Sequence, residues 1–423
     1  MKAKEKIHFK QSWFQVILTG ILLILLADTA LAVVPDRRKE QFPGESAFYV
    51  IPFPYVYPGI GSGILGMVNF SNIGGSRADV TGGVITGDVS GQFLFLGEAF
   101  IIPNYVYIGG GFQNINRVTV QNYDQRGMDS DKDEFTYIEA TELNSKELQV
   151  NLTLWERRIE LFQYQNTQTI TVPRIYDSEG NLIADLSEPY HQESKTTIAG
   201  AILDLTDDHQ DPRAGLRLKW NRIDQPRQNQ YSPDFYTVNQ TAEAYVPLGK
   251  LSTWAFHYMR SDAVVTDPGP TDDATLLQLI GLECNGDALC QETQAKLLEQ
   301  FRNQNQNGTS QSLGGLDQLR SYGQQRFQGA HTLYYSSELR LNLTEEFTPF
   351  DYWIWSDTRT GVQLALFYET GSVSETKETL GDETRSSYGG GLRMVTGSGF
   401  VYRIDVASGD EGTVPIIWFF YPW

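Results

Sequence analysis

Few residues of this chain have types and spacing suited to chemistry. One is Arg320, at the tip of Ser312–Gly329 (SLGGLDQLRSYGQQRFQG), with Gly314 and Gly315 before it and Tyr322 and Gly323 after it. A guanidinium presents five donors in a planar fork, so a buried arginine demands carboxylates and can hold them bidentately. The two cysteines, Cys284 and Cys290, have five residues between them and would close a small disulfide loop in an oxidising compartment. His8, His191, His209, His257 and His331 are scattered, without metal-ligand spacing. Asp129, Asp131 and Asp133 resemble the start of a calcium loop, but Glu134 stands where glycine belongs and Ala140 at the twelfth position, which favours a solvated acidic loop. Gly61–Gly66 fits G-x-G-x-x-G without a βαβ unit around it, which favours small residues in a strand. No Ser-His-Asp or paired-glutamate arrangement has supportive spacing. The expectation is a protein without catalytic residues, cofactor or metal. A barrel enzyme such as a lipase, assembled from distant strands, is the alternative from another class.

The elements that must position these residues begin with an export address. Lys2, Lys4, Lys6 and Lys10 precede a mostly apolar run from Val16 to Ala27, and Ala30-Leu31-Ala32 has the small-x-small form of a cleavage site. Residues 1–32 thus read as a signal peptide cleaved after Ala32, with an uncleaved anchor helix as the alternative. Residues 33–45 are a polar, flexible lead-in. No later stretch approaches the 18–20 apolar residues of a membrane helix, so the exported chain is either soluble or spans a membrane as a barrel. A net charge of −19, from 52 acidic against 33 basic residues, argues against nucleic acid as a partner. The 22 Tyr, 22 Phe and 8 Trp would supply aromatic girdles at two membrane interfaces.

From residue 46 the pattern is β throughout, and sixteen candidate strands can be marked, an even number as bacterial barrels require. Alternation is clearest in the last third. Thr332, Tyr334, Ser336, Glu338 and Arg340 share one face of a strand, and Leu333, Tyr335, Leu339 and Leu341 the other. Gln363 and Glu369 oppose Val362, Leu364, Leu366 and Tyr368, and Arg403 and Asp405 oppose Tyr402, Ile404 and Val406. One wall in lipid and one in a polar lumen explains this period of two. With the N-terminus in the periplasm, most inner connections are short, while the outer ones at 121–145, 170–194 and 264–330 are long. The inner connection 344–360 is an exception, read as an interfacial aromatic segment. Within 264–330, residues 275–301 read as helix interrupted at the cysteines, and 302–311 as a polar spacer. The expected fold is all-β: a transmembrane antiparallel barrel of sixteen strands over 46–423, with a long extracellular loop folded inward.

Three segments carry a resemblance. LDLTDDHQDPRAGLRLKWN (203–221) has an acidic turn followed by Pro and Gly-Leu-Arg-Leu, TAEAYVPLGKLSTWAFHYMR (241–260) resembles the next hairpin, and LRSY (319–322) stands for a Val/Leu-Arg-Gly-Phe/Tyr loop tip. FYETG (367–371), GGGLRM (389–394) and FVYRIDVASG (400–409) follow in the same order. Together they resemble the C-terminal barrel of the BamA/TamA superfamily, also called the bacterial surface antigen family, over about 200–409.

The resemblance implies that Arg320 pairs with Glu338 and Glu369 in the lumen, in a lock that includes Tyr322 and the glycines Gly314, Gly315 and Gly323. Ser321 replaces the family's glycine and Glu369 its aspartate. Trp423 provides the terminal aromatic of an outer-membrane assembly signal, although Pro422 cannot donate a strand hydrogen bond. The resemblance further implies an outer-membrane protein of a Gram-negative bacterium, itself inserted by the barrel assembly machinery and surrounded by outer-membrane lipids and lipopolysaccharide. Its role would be outer-membrane protein or lipid assembly, or translocation. Family members carry periplasmic POTRA modules ahead of the barrel, and 33–45 is too short for one, so a POTRA-bearing or lipoprotein partner is expected. A passive porin-like channel is the alternative function.

Overall fold

Backbone groups in lipid must pair within the protein, and a sheet meets that demand only when it closes and leaves no edge. The structure is a computed structural model that describes residues 46–423, except 250, 281, 283, 345–348, 353–354 and 397–400. The expected signal peptide, its cleavage residues Ala30 and Ala32, and the lead-in to residue 45 lie outside the described residues. The first eleven strands are β1 (Ala47–Tyr57), β2 (Gly61–Ser71), β3 (Asp79–Gly87), β4 (Ser90–Ile102), β5 (Val106–Tyr123), β6 (Phe135–Leu154), β7 (Ile159–Tyr176), β8 (Leu182–Asp204), β9 (Gly215–Gln225), β10 (Asp234–Leu248) and β11 (Ser252–Asp267). After two helices come β12 (His331–Asn342), the four-residue β13 (Pro349–Tyr352), β14 (Trp355–Ser374), β15 (Arg385–Thr396), β16 (Val401–Gly409) and β17 (Gly412–Phe419).

Sixteen of these strands form a closed antiparallel barrel, each paired with its neighbour in sequence, except that β12 pairs directly with β14 while β13 pairs with the start of β14. The ring closes where Val56 of β1 meets Ile417 of β17. Beside that seam Phe419 packs on Phe53 (5.1 Å) and Tyr402 (5.8 Å). The period of two sorts the side chains as polarity dictates. Leu366, Tyr368, Leu392, Ile404 and Val406 are exposed on the outer wall, whereas Glu338, Glu369, Arg393, Arg403 and Asp405 are buried on the inner one.

The structure departs from the sequence expectations in four places. The outer connections 121–145 and 170–194 are largely strand: β5 and β6 leave only 124–134 between them, and β7 and β8 only 177–181. At 20 and 23 residues, β6 and β8 far exceed the 9–11 residues that cross a bilayer. Their first halves mix apolar and polar residues without a strict period of two, which hides the strand in the sequence. Segment 344–360 is likewise not a simple interfacial loop, because β13 and the start of β14 form a hairpin there, and that start also bridges to β1 through Phe48–Ser356 and Tyr49–Trp355.

The fourth departure is at 302–311, where the polar spacer is helical as far as Asn307. The long connection holds α1 (Asp273–Ile280) and α2 (Ala288–Asn307). Asp287 caps α2 by accepting the Cys290 N–H at 2.8 Å, and a disulfide joins Cys284 to Cys290. Asn305 is buried and donates to the carbonyls of Tyr231 and Pro270 (2.8 and 2.7 Å), so a composition that reads as a spacer is pinned by tertiary contacts. The helices rest through Ile280, Leu282 and Leu297 on Ile175 and Ile183 of the projecting β7–β8 hairpin.

Candidate functional site

Segment 310–329 is the centre of the interior. Leu313 and Phe327 exchange backbone hydrogen bonds (2.9 and 3.0 Å), closing the segment into a pinched loop. Gly314 and Gly315 lie at φ 104° and 111°, where a side chain would be strained, and a Cβ would strike the Gly323 carbonyl and the Gln324 side chain. Leu313, Leu319, Tyr322 and Phe327 are buried with Met259, Tyr334 and Val373 of the wall and Met128 of the β5–β6 connection. The Tyr322 hydroxyl donates to the Ser386 carbonyl (3.2 Å). Arg326 binds Ser130 through Oγ and the carbonyl, both at 2.6 Å, and Glu411 at 2.8 Å, so it clamps the loop to its neighbours at the open end.

Arg320 is fully buried at the tip. Its Nε donates to Glu369 Oε1 at 2.7 Å and its backbone N–H to Glu369 Oε2 at 2.8 Å, so one carboxylate holds both main chain and side chain. Its Nη1 reaches Asp405 Oδ2 at 2.9 Å and its Nη2 Glu338 Oε2 at 3.4 Å. The guanidinium also lies over the Phe367 ring, 3.4 Å from the centroid. The Tyr334 hydroxyl donates to Glu369 Oε1 (2.9 Å) and orients it. The structure thus places Arg320, Glu338 and Glu369 together, and adds Asp405 and Phe367, which sequence reasoning did not join to them. Their signal was present: Asp405 shares the polar face with Arg403, and Phe367 is two residues from Glu369 on the same face.

Ser321, which replaces a glycine of the loop-tip pattern, is accommodated in two ways. The left-handed conformation falls on Leu319 (φ 48°), and Gly409 of β16 leaves room, since a Cβ there would lie 2.3 Å from Ser321 Oγ. Ser321 N–H then donates to Ser387 Oγ at 3.1 Å.

Further charges extend the network towards the other end. Glu338 Oε1 accepts from Arg340 Nε (2.7 Å) and Arg393 Nη1 (2.6 Å), and Arg393 Nη2 binds Glu338 Oε2. Arg403 bridges Asp405 (3.0 Å) to the loop through the Leu316 carbonyl (2.8 Å) and Asp317 (3.1 Å). Four arginines, Arg320, Arg340, Arg393 and Arg403, therefore face four carboxylates, Asp317, Glu338, Glu369 and Asp405, which balances the formal charge of this network. Balance matters because an unpaired ion in such a setting is far costlier than a pair.

The opposite mouth is filled by chain that follows the last strand. Phe420 turns at φ 61°, and Tyr421 donates to Asp211 at 2.6 Å. The Arg340 guanidinium lies 4.1 Å from the Tyr421 ring and 5.0 Å from the Trp423 ring. Trp423, expected as a terminal assembly aromatic, stacks on His257 with centroids 5.0 Å apart. Asp131 accepts the Asp133 N–H (2.9 Å) as an ordinary turn carboxylate.

Comparison with known families matches residues 116–408 to the Omp85 superfamily domain. No curated protein sequence matches the chain. Similar solved structures include BamA from Haemophilus ducreyi lacking POTRA domains 1-3 (14% identity, 88% of this chain and 70% of that chain, TM-score 0.46). CdiB from Escherichia coli is also similar (12%, 89% and 61%, 0.49), as is CdiB from Acinetobacter baumannii (9%, 88% and 60%, 0.46). The chain thus spans about 60% of the length of the CdiB chains.

Proposed function

The chain belongs to the Omp85 superfamily of outer-membrane β-barrels, and from that premise we propose that it acts in outer-membrane protein or lipid assembly, or in translocation, as a barrel whose lumen is closed at rest. The observation that supports this reading is the grip of three carboxylates, on β12, β14 and β16, on the single guanidinium of Arg320. A loop fastened by buried ion pairs across the lumen narrows the path through the barrel, and a machine that must open and reseal needs such a fastening. The N-terminus lies in the periplasm, the segment 312–329 descends from the extracellular side, and the outer wall contacts lipids and lipopolysaccharide. A POTRA-bearing or lipoprotein partner delivers what the barrel handles, and the chain performs no catalysis of its own.

Planar-bilayer recording of the purified barrel tests this. The expected result is small or flickering conductance that rises in Arg320→Ala and Glu369→Gln. Large, steady conductance unchanged by Arg320→Ala would establish the porin reading instead. Co-purification from envelopes tests the partner, and phospholipid hydrolysis lost on one substitution would overturn the non-enzymatic reading.

A further inference from the structure

A second feature of the interior is not used by the arginine network. Between the tops of the strands, helix α2 and the outer flank of the 310–329 loop lies a cavity of about 560 Å³, within the range of small-ligand sites. Its chemistry is unlike that of the chain as a whole. The protein has 85 charged side chains (52 acidic and 33 basic), yet the one charged residue among the seventeen that line the cavity is Asp317, already engaged by Arg403 at 3.1 Å. Eight of the seventeen are glutamines. Seven of the eight fall within residues 300–328, where Gln304 sits on α2 and Gln311 and Gln325 flank the pinched loop, and the eighth, Gln225, ends β9. Folding adds Gln225 of β9 to a stretch of α2 and the loop that is itself rich in glutamine.

Among the described residues, the side-chain amides of these four glutamines have no hydrogen-bond partner. Each amide offers two donors and a two-lone-pair acceptor, carries no charge and lies at a cavity wall. A ligand that matches such a lining must be neutral and must both donate and accept along its length. Vicinal hydroxyls of a sugar do this. Tyr57, which is only partly buried, adds a ring on which the apolar face of a pyranose can rest. No guanidinium or ammonium lines the cavity, so phosphate or carboxylate groups would find no counter-charge. An extended peptide would need an open strand edge, but β9 and β10 are each paired on both sides in the ring.

We propose that this vestibule binds a segment of a neutral oligosaccharide. The inference goes beyond the barrel's proposed role and does not depend on what the barrel assembles or moves. It is tested by calorimetric titration of the detergent-purified full chain with maltohexaose, chitohexaose and dextran. The expected result is saturable binding of at least one of them, insensitive to added salt because no ion pair forms. Binding should weaken about tenfold or more in Gln304→Leu/Gln325→Leu, through loss of several hydrogen bonds, with the heat-modifiable barrel band unchanged. Should that double variant fail to fold, Gln225→Leu serves the same purpose from the wall. Absence of binding to all three sugars, equal affinity in the folded variants, or tighter binding of hexagalacturonate or of an uncharged extended peptide would overturn the proposal.

Discussion

The two ends of this barrel are filled by different means. At one end an eighteen-residue loop, Ser312–Gly329, is pinched by its own backbone and fastened by Arg320 to Glu369, Asp405 and Glu338. At the other, Tyr421 and Trp423 lie against Arg340, His257 and Asp211. The first is a charged tip that needs several carboxylates at fixed positions. The second is a pair of aromatic rings that needs a cation face, an aromatic face and one acceptor. Aromatic contacts tolerate displacement better than a bidentate ion pair does, so the loop end should be the more sharply switched of the two. Glu338 belongs to both ends, because it accepts from Arg320 on one side and from Arg340 and Arg393, beneath the Tyr421 ring, on the other.

That shared carboxylate offers the most severe way to break the contrast. Glu338→Ala removes the acceptor of three arginines, and a destabilisation of roughly 3–5 kcal/mol is expected, as for one partner lost from a buried ion pair. Chemical denaturation would read it, and limited proteolysis should show both ends loosened. Arg320→Ala should cost about 3 kcal/mol, somewhat less because Asp405 keeps Arg403 as a partner. Here protease sensitivity should rise within 312–329 while the Tyr421 end, held by Asp211, stays protected from proteolysis. Equal loosening of both ends by Arg320→Ala would show that they are one unit. Replacing Cys284 and Cys290 together by serine should cost about 2 kcal/mol of local stability in the helical cap, seen by hydrogen exchange in 273–307, without altering conductance. Tyr421→Phe deletes one hydrogen bond to Asp211 and should cost about 1 kcal/mol, with effects confined to the tail end.

Much of this contrast could be read from the sequence at one end and little at the other. On β12, β14 and β16 inner side chains alternate mostly with outer apolar ones, so polarity put Glu338, Glu369, Arg403 and Asp405 on the lumen face. Which of them would meet Arg320 was another matter, since Asp405 lies 85 residues away and its approach depends on strand register around the ring. At the tail, PIIWFFYPW has no alternation, and nothing in it says that Phe420 reverses the chain and sends Tyr421 inward. The projecting hairpins and the end of α2 were missed for a related reason. The apolar residues of the β7–β8 hairpin pack on the two helices instead of following a strict period of two, and Arg302–Asn307 is held as helix by the partners of Asn305 rather than by an apolar stripe.

By itself, then, the sequence determined the class of fold: a period of two, an even strand count and one loop arginine whose burial would demand carboxylates. Those properties follow from local polarity against lipid and water, and need no knowledge of which strands meet. The tertiary structure alone decided the balanced set of four arginines and four carboxylates, the double duty of Glu338, the inward tail and the glutamine-lined vestibule. Each depends on residues that are distant in sequence and brought together by closure of the ring, and charge balance or cavity lining is a property of that assembled interior rather than of any strand within it.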